Sequence, residues 1–284
     1  MSEYHPADTA ANWYGTGTNR NSTGIGPCNE CEHRDCNRHY KPFYGYWTGD
    51  TLDSEVLLLG EAPGGNAEGG RNAKNASDEN QEFDYDGDSV DSDWFTQDSD
   101  RSLLDIAKSN NNGFSLSERF ISTLVSYDID SYYTNVKKCN DVHSEQGRET
   151  YESARESCAP YLEQELEAVD PSVVVVFSAD TQGNASGNFE HCFNKFGLGA
   201  EVAGKGTTEI VMPDTKRAES LFPTYDSQRG FKVIPAYHFS LASSNLSQYA
   251  EFNPDDLGKP DKSYRNNWKD PYYDDLATKI ADLV

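Results

Sequence analysis

The chain has 284 residues, 36% of them hydrophobic, and its 48 acidic side chains outnumber 24 basic ones, for a formal net charge of −24. It contains no run of about 18 apolar residues, which excludes a bilayer-spanning helix. The charge argues against sequence-independent attachment to nucleic acid at low salt, but leaves room for a local groove that contacts phosphates.

The acidic residues are spread along the whole chain rather than gathered in a tail. Such a surface suits a medium in which salt screens repulsion, with a Debye length of about 3 Å at 1 M. The expectation is a salt-loving source; the ordinary alternative is an acidic protein of a low-salt cell. Residues 1–20 are polar and lack the apolar core of a signal peptide, so the expected location is the cytoplasm, with no membrane partner.

Residues 1–27, rich in Asn, Thr and Gly, read as an irregular arm, and 28–284 as a single domain. A cysteine-bearing stretch, Cys28 to Cys36, comes next, then the aromatic segment Tyr40–Trp47. Val56–Leu59 is the first of four short apolar runs. Gly64–Asp93 has no apolar period and reads as a long loop or insertion near 65–93, of the kind that is often functional. Arg101–Lys108 and Ser117–Val125 carry apolar residues at helical spacing. Tyr132–Val136 is the second apolar run. Tyr151–Val169 is the longest predicted helix, with Pro160 as a point of interruption. Val173–Phe177 is the third run. Thr181–Phe231 is rich in Gly and polar residues, with one predicted strand at Glu209–Met212. Lys232–Tyr237 is the fourth run, and Leu276, Ile280 and Leu283 mark a final amphipathic helix. Short apolar runs rich in β-branched residues predict strands buried on both faces. Their alternation with helices predicts a three-layer α/β/α sandwich around a mainly parallel, four-stranded sheet.

Ligands of open α/β sheets bind beyond the C-terminal strand ends, and three of the predicted strands end in polar residues. The first leads into Gly60-Glu61-Ala62-Pro63-Gly64-Gly65. The second carries Asn135, followed by Lys137, Lys138 and Cys139. The fourth leads into His238-Phe239-Ser240. A carboxylate, an amide and an imidazole suit a small polar ring. Each has an ordinary explanation: Glu61 as a solvated loop residue, Asn135 as a turn residue, His238 as a satisfied core histidine. Their placement at equivalent strand ends favours a site. The glycines could cradle a phosphate, but neither a Walker sequence nor a Gly-x-Gly-x-x-Gly is present, and Pro63 removes a backbone donor.

Six cysteines in a cytoplasmic chain point to metal or catalysis rather than disulfides. Cys28-x-x-Cys31 is a chelating pair, Cys139 directly follows the end of the second predicted strand, and Cys158 lies on the long helix after it. Four thiolates suit either an iron–sulfur cluster or zinc, which spacing does not separate. Cys36 and Cys192 read by default as buried thiols, with Cys36 near enough to Cys31 to substitute for it.

Together these pieces resemble the uracil-DNA glycosylase superfamily, in particular its iron–sulfur family four. The matching segments are Cys28-x-x-Cys31, Gly60-Glu61-Ala62-Pro63-Gly64, Thr134-Asn135-Val136-Lys137-Lys138-Cys139, Cys158-Ala159-Pro160-Tyr161-Leu162, Asp170-Pro171 and Tyr237-His238-Phe239-Ser240, in the family's order. The resemblance implies a 4Fe-4S cluster on Cys28, Cys31, Cys139 and Cys158, with zinc as the alternative. It implies a uracil pocket in which Asn135 reads the base edge, Glu61 and its neighbours Gly60, Ala62, Pro63 and Gly64 position the base or the attacking water, and His238 stabilises charge on uracil O2. Phe95, or Trp94, would stack on the flipped base. Lys137 and Lys138 are candidate phosphate contacts, a solvated pair being the alternative. The implied partner is uracil-containing DNA, bound by a monomer. The chain departs from the family at Asp93-Trp94-Phe95-Thr96 and at His238-Phe239-Ser240. The competing reading is a non-catalytic, cluster-bearing nucleic-acid-binding member; a zinc-stabilised α/β protein is the third.

Overall fold

The computed structural model describes residues 45–48, 54–61, 103–104, 118–138, 147–178, 187–213, 221–238 and 269–284. The expected arm at 1–27, the stretch 65–93 and most of the helix expected at Arg101–Lys108 lie outside the described residues. The strands are β1 (Tyr46–Trp47), β2 (Val56–Gly60), β3 (Ser131–Asn135), β4 (Val173–Ser178), β5 (Tyr225–Asp226) and β6 (Lys232–Tyr237). β1 neighbours β3, and β2, β4, β6 and β5 lie side by side in that order. The helices are α1 (Glu118–Ser126), α2 (Gly147–Val169), α3 (Gly187–Lys195), α4 (Gly199–Val202), α5 (Thr207–Val211) and α6 (Lys269–Ala281). The fold is α/β. The four predicted runs are its four long strands; β1 and β5, two residues each, are too short to leave a period in the sequence. By their contacts the residues fall into two compact units, one of Met1–Leu52, Ala62–Phe114 and Tyr133–Val169, the other of Asp53–Glu61, Ser115–Tyr132 and Asp170–Val284.

In the second unit, β2, β4 and β6 run parallel, with Val56 opposite Val173 and Val173 opposite Lys232. Every residue of β2 and β4 is buried. Side chains alternate between faces along a strand, so such burial requires cover on both sides. Phe120 of α1 meets Phe177 of β4 edge-on, with ring centroids 6.5 Å apart, and packs on Tyr273 of α6 at 5.5 Å. Helix α3 packs on β4 and α5 on β6. Strand β5 joins β6 antiparallel through a turn in which Ser227 Oγ accepts from Arg229 N (3.3 Å) and Phe231 N (3.2 Å).

Two helices of this unit end alike. After α1, Asp128 adopts φ 61, its N–H donates to Val125 O, and Ile129 N reaches back to Leu124 O. After α3, Gly197 adopts φ 77, donates to Asn194 O, and Leu198 N reaches Phe193 O. Both are Schellman stops, in which a left-handed residue lets the next N–H satisfy a carbonyl five residues back.

The region 181–231 departs most from expectation. Glu209–Met212, predicted as a strand, lies mostly in α5. Glu209 Oε2 accepts the Gly206 N–H at 2.8 Å and so ties down the helix start, as a capping glutamate does. Thr207, Ile210 and Val211 are buried, a helical rather than an alternating spacing. Helix α3 was not predicted, although Phe189, Cys192, Phe193 and Phe196, all fully buried, stand at i, i+3, i+4 and i+7; Cys192 acts there as one more apolar residue.

In the first unit, α2 runs through Pro160 without interruption. Pro160 and Glu156, whose carbonyl loses its helical donor, are both exposed, so water can take the place of the missing bond.

Candidate functional site

The rim of the second unit follows from register. Leu59 lies opposite Val176, and Ser178 opposite Tyr237; Glu61 directly follows β2, which ends at Gly60. His238 follows Tyr237 directly, and its N–H donates to Ser178 O at 2.8 Å. Glu61 and His238 therefore flank the end of β4 on its two sides, and both are half-buried. Between them lies Ser178, 1% exposed. Its Oγ has no hydrogen-bond partner among the described residues. A serine closing a valine strand carries no sequence signal, and reading the sequence alone does not single it out.

The position of His238 is set by its neighbour. The two polar groups of the Tyr237 backbone point away from β4, beyond the end of the two-residue strand β5. Two consecutive tyrosines of α6 meet them: Tyr272 Oη accepts the Tyr237 N–H at 2.9 Å, and Tyr273 Oη donates to Tyr237 O at 3.1 Å. Burial pushes both phenols well above their ordinary value, so they remain neutral. The Tyr237 ring is fixed as well, its hydroxyl reaching Thr208 Oγ1 at 3.0 Å. Leu276 and Ile280 announce this helix in the sequence; the task of its tyrosines is not visible there.

In the first unit, Asn135 closes β3 and is 1% exposed. Its Oδ1 accepts a hydrogen bond from the hydroxyl of Tyr133 at 3.2 Å. The two are i and i+2 on one strand and so share a face. Beside them is a closed polar triangle. The Lys138 ammonium donates to Thr134 Oγ1 at 2.7 Å and to Glu165 Oε2, and the Thr134 hydroxyl donates to Glu165 Oε1 at 2.9 Å. The side chains of Lys138 and Glu165 are only 4% and 3% exposed.

The Lys138 ammonium, expected as a phosphate contact, is thus engaged inside the unit. Lys137, at 1% exposed, is equally buried. Charged side chains are almost never fully buried unless paired, and no local pattern distinguishes such a lysine from a solvated one.

Cys158 of α2 is buried, at 5% exposed, and is not part of a disulfide. The backbone N–H of Lys138 points at its Sγ, 3.4 Å away. A buried sulfur facing an amide donor fits a metal-bound thiolate, because hydrogen bonds to ligand sulfur stabilise its negative charge. Cys28, Cys31 and Cys139 lie outside the described residues, as do Ala62, Pro63, Gly64, Phe95 and Cys36. Among the described residues no group of three or more His, Cys, Asp or Glu could hold a metal ion. No described helix is long and apolar enough to cross a membrane.

Of the predicted site residues, then, Glu61 and His238 share one rim of one unit, while Asn135, Lys137, Lys138 and Cys158 belong to the other unit. No curated protein matches the chain. The family model of the Uracil DNA glycosylase superfamily matches it over residues 46–269, a span that takes in Glu61, Tyr133, Asn135, Cys158, Ser178 and His238. With that match covering well over half of its length, the chain belongs to the Uracil DNA glycosylase superfamily.

Proposed function

We propose that this protein is a DNA repair glycosylase that hydrolyses the N-glycosidic bond of a flipped deoxyuridine, giving free uracil and an abasic site. The observation that carries the reading is the family match over residues 46–269; the rim of Glu61, Ser178 and His238 and the buried amide of Asn135 supply suitable chemistry. Flipping the nucleotide costs a few kcal/mol of stacking. The bond between sugar C1′ and base N1 then breaks, with its electrons moving onto uracil. Water bonds to C1′ and its proton ends on the base. Glu61 positions that water, and His238 stabilises charge growing on uracil O2, a contribution on the order of 3 kcal/mol per well-placed donor. Asn135 reads the Watson–Crick edge, since an amide facing the wrong edge leaves buried polar groups unpaired. Phe95 stacks on the base.

A 4Fe-4S cluster on Cys28, Cys31, Cys139 and Cys158 is part of the same proposal, supported by the environment of Cys158. When bound it supplies a four-thiolate cross-link. Iron and sulfide in the purified protein support the cluster, whereas zinc without iron replaces it with a structural zinc site.

The reading is tested by uracil release from single- and double-stranded DNA in molar salt. Free uracil is expected, with release falling at least a hundredfold in Asn135→Ala. DNA binding without release from the folded protein overturns the enzymatic reading in favour of a non-catalytic binding protein.

A further inference from the structure

The bond between Tyr133 and Asn135 bears on which base the pocket accepts. A carboxamide has two ends of nearly equal shape and opposite hydrogen-bonding sense: an oxygen that accepts and an NH₂ that donates. Turned one way, it pairs with uracil, donating to O4 and accepting from N3–H. Turned by 180°, it pairs with cytosine, accepting from the N4 amino group and donating to N3. An unrestrained Asn135 would serve either ring, so something must hold its orientation.

We infer that Tyr133 is the positioning residue that fixes the orientation of the Asn135 carboxamide, and with it the preference for uracil over cytosine. The phenol is a strong donor, and its oxygen, conjugated with the ring, is a poor acceptor. It therefore holds Oδ1 and resists a flip that would bring NH₂ against it. Oδ1 has two lone pairs, so the one not used by Tyr133 remains for uracil N3–H. Tyr133 is 6% exposed and follows the fully buried Tyr132 in a strand buried throughout, which leaves the ring little room to move. Burial is the main influence on its pKa and raises it, the bond to Asn135 acting in the opposite direction; the hydroxyl keeps its proton across any working pH.

The inference rests on the proposed reading of Asn135, and the experiment separates the two. Tyr133→Phe removes one oxygen and keeps the ring. Binding is measured to oligonucleotides carrying a single non-hydrolysable 2′-fluoro-deoxyuridine or 2′-fluoro-deoxycytidine. Wild-type protein prefers the uracil ligand. In Tyr133→Phe that preference narrows by about fivefold, the weight of one neutral hydrogen bond, through weaker uracil binding and stronger cytosine binding. In an Asn135→Ala background the same change leaves the ratio where it was, because residues acting through one contact are not additive. A purely structural role for Tyr133 weakens both ligands alike, and an unchanged ratio in folded Tyr133→Phe overturns the inference alone. Wild-type protein without a preference for uracil overturns the proposed reading of Asn135 as well.

Discussion

The ends of β3 and β6 each deliver a candidate site residue, yet they are held by opposite chemistry. At β3, the residue before Asn135, Thr134, is held by an ammonium and a carboxylate buried together. At β6, the residue before His238 is held by two neutral phenols. A buried ion pair is close to all-or-none: intact, it repays little beyond its own desolvation, and with one member missing, the other is an uncompensated charge. A neutral hydrogen bond fails more gently, by the cost of one unsatisfied group. The two strand ends should therefore respond to mutation on different scales.

The largest effect is expected at the triangle. Glu165→Ala strands the Lys138 ammonium and should destabilise the fold by about 3–5 kcal/mol, read from denaturant midpoints. Lys138→Met combined with Glu165→Leu should recover most of that loss, since apolar residues of similar volume fill such sites at little cost. A single mutant within 1 kcal/mol of wild type would mean the pair is solvated in solution, and the contrast between the two ends would disappear.

The phenol clamp comes second. Tyr272→Phe leaves the Tyr237 N–H without its acceptor and should cost about 1–3 kcal/mol. The same clamp predicts an alkaline limit. Both phenols titrate higher in the fold than in the unfolded chain, where they ionise near 10, so their contribution is complete below that pH and is lost as pH climbs towards the folded value. Tyrosinate absorbance and circular dichroism should accordingly change together above about pH 10; early ionisation of Tyr272 and Tyr273 in an intact fold would argue against the clamp.

The smallest effect belongs to a charged contact on the surface. Arg119 makes a bidentate pair with Asp274, at 3.0 and 2.6 Å, but its side chain is 59% exposed. Arg119→Ala should cost under about 1 kcal/mol, and the difference should fade in molar salt. A salt-independent loss would show that the guanidinium contributes packing in addition to charge.

The contrast also explains what could be read in advance. Val56–Leu59 and Val173–Phe177 declare themselves because burial on both faces leaves a nearly uniform apolar run. Glu61, Asn135 and His238 are visible as polar residues just where such runs stop. Helix α3 hid behind a Gly-rich approach and a cysteine counted as a thiol rather than as part of an apolar stripe. Helix α5 hid behind β-branched residues that favour a strand until Glu209 caps it. The partners of the site residues are harder still. Lys138 looks like any solvated lysine until Glu165, on another element, is beside it, and nothing near Tyr272 or Tyr273 names Tyr237 as their target. Ser178 depends on register between strands more than a hundred residues apart in sequence.

The clamp has a further consequence, in the order of folding. Tyr237 and its two partners are separated by 35 and 36 residues of chain, so the loop between them must close before either bond can form. Strand β6 can pair with β4 by register alone, yet its last residue acquires both backbone partners only when α6 docks. His238 thus has its place fixed by the docking of a helix that contributes no functional group to the rim.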